Sequence, residues 1–115
     1  MTAGELCRVL GRYRLSVGDE DSMQRSIAGA LDAESLKFDR EVRRGVDRID
    51  FVVGRVGIEC KVAGSVSALI RQLFRYTEWQ DLDELLVVTS LDRHRLAPTE
   101  LNGKPILVHV ARGMF

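Results

Sequence analysis

The chain has 115 residues, of which 45% are hydrophobic and 30% are charged, and its 17 basic and 17 acidic residues give a net charge of zero at pH 7. Typical domains run to about 100–150 residues, so we expect a single domain spanning residues 1–115. The composition is that of an ordinary folded protein and excludes a disordered or low-complexity chain. A net charge of zero also argues against a protein that binds nucleic acid through overall attraction alone.

The charges are unevenly placed along the chain. Residues 37–75 contain nine basic and five acidic residues. Because the whole chain is neutral, the remaining residues carry a negative excess of the same size. Positive charge is therefore concentrated in the middle of the sequence.

No part of the sequence looks like a membrane span or a targeting signal. No apolar run approaches the roughly 20 residues that a transmembrane helix needs. The N-terminal segment also carries Arg8, Arg12 and Arg14 among its apolar positions, unlike the apolar centre of a signal peptide. We therefore expect an intracellular, cytoplasmic protein with no membrane partner.

The cysteines and histidines are not spaced as metal ligands. Cys7 and Cys60 lie far apart, and Cys60 falls inside an apolar strand, so both are expected to be buried free thiols. His94 and His109 do not form the helical or hairpin pair of a zinc site. Zinc binding and histidine chemistry are therefore not expected.

Two helices are predicted before the first strand. Thr2 and Glu5 have the spacing of a capping box, and the apolar residues that follow recur at helical spacing over residues 3–14. A second apolar stripe with an acidic first turn predicts a helix over Glu20–Ala33. Residues 1–17 are interpreted as an N-terminal helical extension.

The rest of the chain is predicted to form strands and one further helix. The signals are short β-branched segments, turn residues and an apolar stripe at helical spacing. These predicted elements are strands Lys37–Arg44, Arg48–Val53 and Val56–Val62, a helix from Val66 to Trp79 capped by Ser65 or Ser67, a strand Glu84–Ser90, a polar loop or short helix over Asp92–Gly103, and a strand Pro105–Val110. Residues 18–90 thus form a predicted α/β core with a mixed, helix-covered sheet. Residues 91–115 supply a C-terminal strand and loop.

Two carboxylates and one ammonium group meet in the predicted hairpin. Strand alternation places Glu59 and Lys61 on one face, and a turn at Gly54-Arg55 returns Asp50 toward Glu59. Burying such charges in an apolar sheet is costly unless they are paired or bind an ion. Oxygen ligands of this kind suit Mg²⁺ or Mn²⁺, with the backbone carbonyl of Cys60 as a further ligand.

Two interpretations of these charges are open. With a metal bound, Lys61 would orient a water or stabilise the transition state, which indicates phosphodiester hydrolysis. The plainer alternative is a salt bridge, Glu59 to Lys61 or Asp50 to Arg48, on a half-exposed strand.

The segment Arg48–Val62, RIDFVVGRVGIECKV, resembles the core of the PD-(D/E)xK, or restriction-endonuclease-like, nuclease superfamily. The resemblance implies that Asp50 and Glu59 bind the metal and that Lys61 activates the attacking water. Ile49 precedes Asp50 where the motif has proline, a variation that the family often shows.

Two helices carry further parts of the resemblance. Gln72 and Tyr76 are similar to the Q-x-x-x-Y element of RecB-type nucleases, in which both residues belong to the active site. Glu20 and Gln24 resemble the N-terminal acidic helix of the family, whose glutamate completes the metal shell. The element order also matches the restriction-endonuclease-like αβββαβ core. The catalytic set that the resemblance implies is Asp50, Glu59, Lys61, Gln72 and Glu20.

Each supporting residue has a plainer interpretation. Gln72 and Tyr76 lie four apart and would form a hydrogen-bonded pair at the edge of the core. Glu20 would be a first-turn acid that the helix dipole favours, with Asp19 and Asp21 as rivals for a role in the metal shell.

The residues expected to contact nucleic acid also have two interpretations each. Arg71 and Arg75 would clamp phosphates or be solvated, and Trp79 is expected to anchor the core rather than to stack on a base. The expected nucleic-acid-binding residues are Arg48, Arg71, Arg75, Tyr76 and Gln24.

Together these features predict a Mg²⁺-dependent nuclease that cleaves DNA, with Mn²⁺ as a substitute. The small domain leaves no room for a separate recognition domain, so phosphate contacts should dominate, and specificity should come from a homodimer or a larger nuclease assembly. Two alternatives remain: a catalytically silent nuclease fold used for DNA binding or assembly, and a plain α/β adaptor with a solvent-exposed charged strand.

Overall fold

The computed structural model describes residues 1–111, so the last four residues of the predicted C-terminal loop lie outside it. The helices are α1 (Ala3–Gly11), α2 (Glu20–Ala33) and α3 (Val66–Tyr76), with a 3₁₀ helix at Asp92–Leu96. The strands are β1 (Asp39–Arg44), β2 (Asp47–Val53), β3 (Val56–Lys61), β4 (Glu84–Thr89), β5 (Glu100–Leu101) and β6 (Lys104–Val110). None of the helices within residues 1–111 has both the length and the apolarity that a bilayer crossing requires.

The strands form one mixed sheet in the order β1-β2-β3-β4-β6-β5. β1, β2 and β3 pair antiparallel, whereas β3 and β6 each pair parallel with β4, and β5 pairs antiparallel with β6. One apolar core joins α1 and α2 to one face of the sheet, and a second core joins α3 to the other. The prediction of an α/β domain with a mixed, helix-flanked sheet is therefore confirmed.

Most element boundaries follow the sequence prediction. The Thr2–Glu5 capping box is present, α2 spans the predicted residues, and Ser65 caps α3. The first predicted helix ends at Gly11, three residues early. Tyr13 extends the apolar stripe of the sequence, but it packs against the core from outside the helix. Its hydroxyl donates to Glu34 Oε2 at 3.1 Å.

The third predicted helix also ends early, at Tyr76 rather than Trp79. The hydroxyl of Thr77 donates to the Phe74 carbonyl at 2.5 Å and closes the last turn. Trp79 remains in the core, 7% exposed and edge-on to Tyr76 with ring centroids 5.6 Å apart. The prediction that Trp79 anchors the core is therefore confirmed.

The alternation of side chains breaks in the middle of β1 and β2. Arg40 pairs with Phe51 on the α2 face, where its guanidinium lies over the Phe51 ring at 5.2 Å. Two residues along β1, the pair Val42 and Ile49 packs on the α3 face instead. Residues two apart in a regular strand share a face, so both strands are distorted between these pairs. Glu41, with φ 51°, occupies the break, and Asp50 lies opposite it.

Gly57 is required where β3 passes under the second core. A Cβ at this position would clash with Ile49 Cδ1 and would lie 3.1 Å from a terminal methyl of Leu82 and from one of Leu85. All three neighbours are buried, so they have little room to move. The absence of a side chain at position 57 leaves room for the side chains of Ile49, Leu82 and Leu85 to pack over β3.

We therefore expect Gly57→Ala to lower the free energy of unfolding by about 1–3 kcal/mol, because it overpacks the core. Ile49→Val removes the clashing methyl, so the double variant should lose less than the sum of the single losses. Urea denaturation measures all three. The control is Gly29→Ala, at an exposed helical site with open space around it, which should raise stability by about 0.5–1 kcal/mol. Unchanged stability in Gly57→Ala would contradict the packing.

Candidate active site

The predicted carboxylates lie where β2 and β3 separate. The pairing of these strands runs from Val53↔Val56 to Phe51↔Ile58 and then stops. Asp50 and Glu59 are the next residues on either side, and α2 and α3 supply polar side chains to them from opposite faces of the sheet. The site is therefore a gap at the end of the hairpin, between two helices.

Asp50 is held by two donors. It is 3% exposed, its Oδ2 accepts the Cys60 backbone N–H at 2.8 Å, and its Oδ1 accepts Gln24 Nε2 at 3.1 Å. The side chain thus takes the place of a strand partner for Cys60. In a β-strand the N–H and C=O of one residue point to the same side, so the Cys60 carbonyl is directed toward the same gap.

Glu59 has one satisfied oxygen and one unsatisfied oxygen. Its Oε2 accepts Gln72 Nε2 at 2.7 Å and lies 3.5 Å from Lys61 Nζ. Its Oε1 is buried and has no hydrogen-bond partner within residues 1–111. Buried carboxylate oxygens in folded proteins nearly always have a partner, and an ion is one explanation for an exception. Glu59 Oε1 is therefore the atom in this site that most needs a ligand.

The electrostatics of the site favour an added positive charge. Burial, and then the negative charge of Asp50, raise the pKa of Glu59 from 4.5 to about 8, although Lys61 opposes the shift. Desolvation and Asp50 also raise the pKa of Glu20, against the effects of Lys61 and Arg48. The pKa of each carboxyl is thus raised by its acidic neighbour, as expected where two acids share a site. A divalent cation would relieve this repulsion.

The donor set fits Mg²⁺ or Mn²⁺ better than a metal that needs a complete protein cage. Within residues 1–111 no three His, Cys, Asp or Glu side chains gather closely enough to hold a metal. Mg²⁺ is commonly held by one or two carboxylates and keeps several waters. Asp50, Glu59 and the Cys60 carbonyl are the groups that would hold it. Burial raises the pKa of the Cys60 thiol, and the side chain packs into the apolar core on the α1–α2 side of the sheet, so the backbone carbonyl rather than the sulfur is the group that faces the gap.

The α3 residues Gln72 and Tyr76 belong to the site through Glu59. Gln72 Nε2 contacts both Glu59 Oε2 and the Tyr76 hydroxyl, the latter at 2.9 Å, and that hydroxyl donates to the Arg48 carbonyl at 2.6 Å. The hydrogen bond between Gln72 and Tyr76 and the bond from Gln72 to the acidic site are thus both present. These bonds fix the side chain of Glu59 and the backbone of β2 relative to each other.

Other predicted residues lie near the site without joining it. Glu20 is close enough to Asp50 to be affected by its charge, but it makes no bond to the two buried carboxylates. Its rival Asp19 caps α2 by accepting the Ser22 N–H at 2.7 Å. Arg75 is ion-paired with Asp47 at 2.8 Å, whereas Arg71 is exposed.

Two residues at the site were not predicted. Arg40 Nη2 donates to Gln24 Oε1 at 3.2 Å and so orients the amide that binds Asp50. His94 is buried, with Nδ1 2.6 Å from Thr89 Oγ1 and Nε2 3.1 Å from the Gly64 carbonyl, and it fixes the loop between β3 and α3. No local sequence signal marks either role, because the contacts of Arg40 with Gln24 and of His94 with Gly64 join distant segments.

A small cleft lies beside the ammonium group. It has a volume of about 160 Å³, and its lining includes Lys61, Gln72, Ser65 and Arg75. Two cations line this space, of which Arg75 is already paired with Asp47, together with the Ser65 hydroxyl, and Lys61 keeps 25% of its side chain exposed. The cleft is therefore suited to an anion that approaches the carboxylates from the α3 side.

Comparison of the chain with protein-family models, with curated proteins and with solved structures finds no match. The case for a function therefore depends on the geometry and charge of the site itself.

The raised pKa of Glu59 predicts a pH-dependent stability in the absence of metal. Folded Glu59 keeps its proton up to about pH 8, whereas the unfolded chain loses it near pH 4.5. Unfolding between these values releases a proton, so the free energy of unfolding falls as pH rises, by up to about 1.4 kcal/mol per pH unit.

Glu59→Gln should remove this contribution. In EDTA, the variant and the wild type should have similar stabilities near about pH 4.5, and the variant should become the more stable as pH rises toward about 8. Urea denaturation across this range measures the difference. Parallel stability curves for the two proteins would contradict the proposed protonation of Glu59.

Proposed function

We propose that this protein is a Mg²⁺-dependent nuclease of the PD-(D/E)xK type that hydrolyses DNA phosphodiester bonds. The observation that carries the proposal is the pair of buried carboxylates, Asp50 and Glu59, with one unsatisfied oxygen and an ammonium group beside them. A core that needed only apolar packing would gain nothing from such a pair, because an uncompensated buried charge is strongly destabilising.

The residues of the site have distinct roles in this proposal. Asp50 and Glu59 hold the cation, with the Cys60 carbonyl, and a bound divalent cation supplies Lewis acidity toward phosphate oxygens and water. Lys61 faces both Glu59 and the cleft, where it positions the attacking water and stabilises charge on the reacting phosphate. Gln72 holds Glu59 in place.

DNA is the proposed partner, and the restriction-endonuclease-like core is the proposed fold family. The element order α2-β1-β2-β3-α3-β4 supports the family, because it is the αβββαβ order that the resemblance implies. A homodimer would hold two such sites and would allow cleavage of both strands of a duplex or of a branched junction. Glu20 is retained as a candidate that joins the metal shell when a cation is bound.

One observation favours a second candidate, a catalytically silent nuclease fold used for DNA binding or assembly. Glu59 Oε2 already has Lys61 and Gln72 as partners, and no third acidic side chain completes a ligand set within residues 1–111. A glutamate whose carboxyl oxygen already has partners within the protein can have a purely structural role. The two candidates differ in one respect, which is hydrolysis in the presence of a divalent cation.

The test is cleavage of labelled linear, nicked, single-stranded and four-way-junction DNA with Mg²⁺ or Mn²⁺. We expect the wild type to cleave at least one of these substrates, and Asp50→Asn and Lys61→Met each to lower the rate by at least about 100-fold, as removal of electrostatic catalysis does. Lys37→Met removes an exposed lysine outside the site and should leave the rate unchanged.

Two results would contradict the proposed nuclease function, and each would point to a different conclusion. DNA binding without cleavage of any substrate would assign the protein to the silent class. Cleavage that survives in both Asp50→Asn and Lys61→Met would place the chemistry elsewhere in the chain. Circular dichroism of each variant checks that a lost rate does not reflect a lost fold.

A further inference from the structure

The two faces of the β1–β2 hairpin differ in how their charges are neutralised. On the α3 face, Arg44 pairs with Asp81 at 2.8 Å and lies over the Trp79 ring, and Asp47 pairs with Arg75. Arg43 and Arg48 occupy the alternate positions, so they lie on the opposite face of the hairpin. One face is therefore tied to the protein by ion pairs, and the other presents two arginines.

These two arginines are placed against each other. Arg43 and Arg48 are direct cross-strand partners in the β1–β2 register. Like charges in directly opposed positions destabilise a strand pair. Within residues 1–111, Arg43 has no side-chain hydrogen bond or ion pair, and the closest acid to Arg48 is Glu41 at 4.0 Å, with both side chains about half exposed. Glu20 on α2 also senses the charge of Arg48. In the described part of the chain, the hairpin therefore has one exposed cation without an acidic partner, Arg43, beside a second, Arg48, whose acidic neighbours are Glu41 and Glu20.

The arginine pair lies beside the candidate active site and at a fixed place relative to it. Arg48 precedes Asp50 by two residues on β2, which is roughly 6.6 Å along a strand. The Tyr76 hydroxyl binds the Arg48 carbonyl, and Gln72 connects that hydroxyl to Glu59. The arginine pair therefore lies two residues along β2 from Asp50, next to the carboxylate site.

We propose that Arg43 and Arg48 form a phosphate clamp for the nucleic-acid strand that enters the Asp50–Glu59 site, binding the backbone phosphate next to the one that reacts. The proposal rests on the proposed function, which it extends by assigning the path of the substrate along the hairpin. Guanidinium groups bind phosphate through paired N–H donors, and an anion between two opposed arginines removes their repulsion.

The tip of the hairpin favours a nucleic-acid strand over a free anion. Val46 lies at this tip and is 97% exposed. Val46 offers an apolar contact to a sugar or a base, while the two arginines beside it contact phosphate. The ion pairs on the α3 face connect the hairpin to Arg75 of α3 and to Asp81 beyond it, which favours a clamp that is positioned before the substrate binds.

The experiment measures binding to labelled duplex DNA by fluorescence anisotropy at several salt concentrations in EDTA, where metal-dependent cleavage cannot occur. We expect Arg43→Gln, Arg48→Gln and the double variant to weaken binding. A clamp on one phosphate should reduce the slope of log Kd against log salt by about 0.9 in the double variant. Arg8→Gln, which removes an exposed arginine of α1, is the matched control and should leave the slope unchanged.

A stability measurement separates this role from a structural one. Because the two arginines repel each other, Arg43→Gln should leave Tm unchanged or raise it. A fall in both Tm and affinity would assign the pair to the fold and overturn the clamp. Binding of inorganic phosphate as tight as that of DNA at matched ionic strength would assign the pair to a free anion instead, and would overturn the clamp as well.

The outcome of the binding experiment can be distinguished from the outcome of the cleavage test. If binding depends on the arginines but no substrate is cleaved with Mg²⁺, the clamp stands and the nuclease proposal fails. If DNA is cleaved and bound but the double variant binds with an unchanged slope, the clamp fails and the nuclease proposal stands. Failure of the wild type to bind DNA at low salt would overturn the clamp.

Discussion

The burial of two carboxylates at the end of an apolar hairpin is the constraint on which the rest of the site depends. Asp50 is only 3% exposed and Glu59 only 4%, and a group in such a place must be paired, protonated or bound to a cation. The protein supplies neutral amide donors to one oxygen of each, from Gln24 on α2 and Gln72 on α3. It supplies one ammonium group, and it leaves Glu59 Oε1 without a partner in residues 1–111. When Glu59 loses its proton, two negative charges face one nearby positive charge, and a bound divalent cation would offset that negative excess.

The break in β1 and β2 makes this arrangement possible. In a regular hairpin the Cys60 N–H would bond to the backbone of β2, and the Asp50 carboxylate would have no backbone donor. The distortion at Glu41 and Asp50 ends the β2–β3 pairing early, so the carboxylate accepts the Cys60 N–H directly. The same break sends Val42 and Ile49 to the α3 face, while Arg43 and Arg48 appear on the α2 face. A single local distortion thus places both the acidic site and the arginine pair.

Much of the fold was predictable from the sequence, because it depends on local patterns. The capping box at Thr2, the bounds of α2 and the run of short β-branched strands each follow from the residues present at those positions. Alternation likewise predicted that Glu59 and Lys61 share a face, and their charged atoms lie 3.5 Å apart. The break at Glu41 was not predictable, since its positive φ occurs without a glycine. Contacts such as Arg40 to Gln24 and Arg75 to Asp47 were also missed, because they join segments that only the tertiary fold brings together.

Calorimetric titration of the protein with MnCl₂ and with MgCl₂ at about pH 7 is the sharpest test of the proposed cation site at Asp50 and Glu59. Because the pKa of Glu59 is raised to about 8, binding a cation should displace its proton. Titrations in two buffers with different ionisation enthalpies measure that release. We expect saturable binding of one ion per chain with proton release, and loss of both in Glu59→Gln. No saturable binding, or equal binding by the wild type and Glu59→Gln, would contradict the proposed cation site.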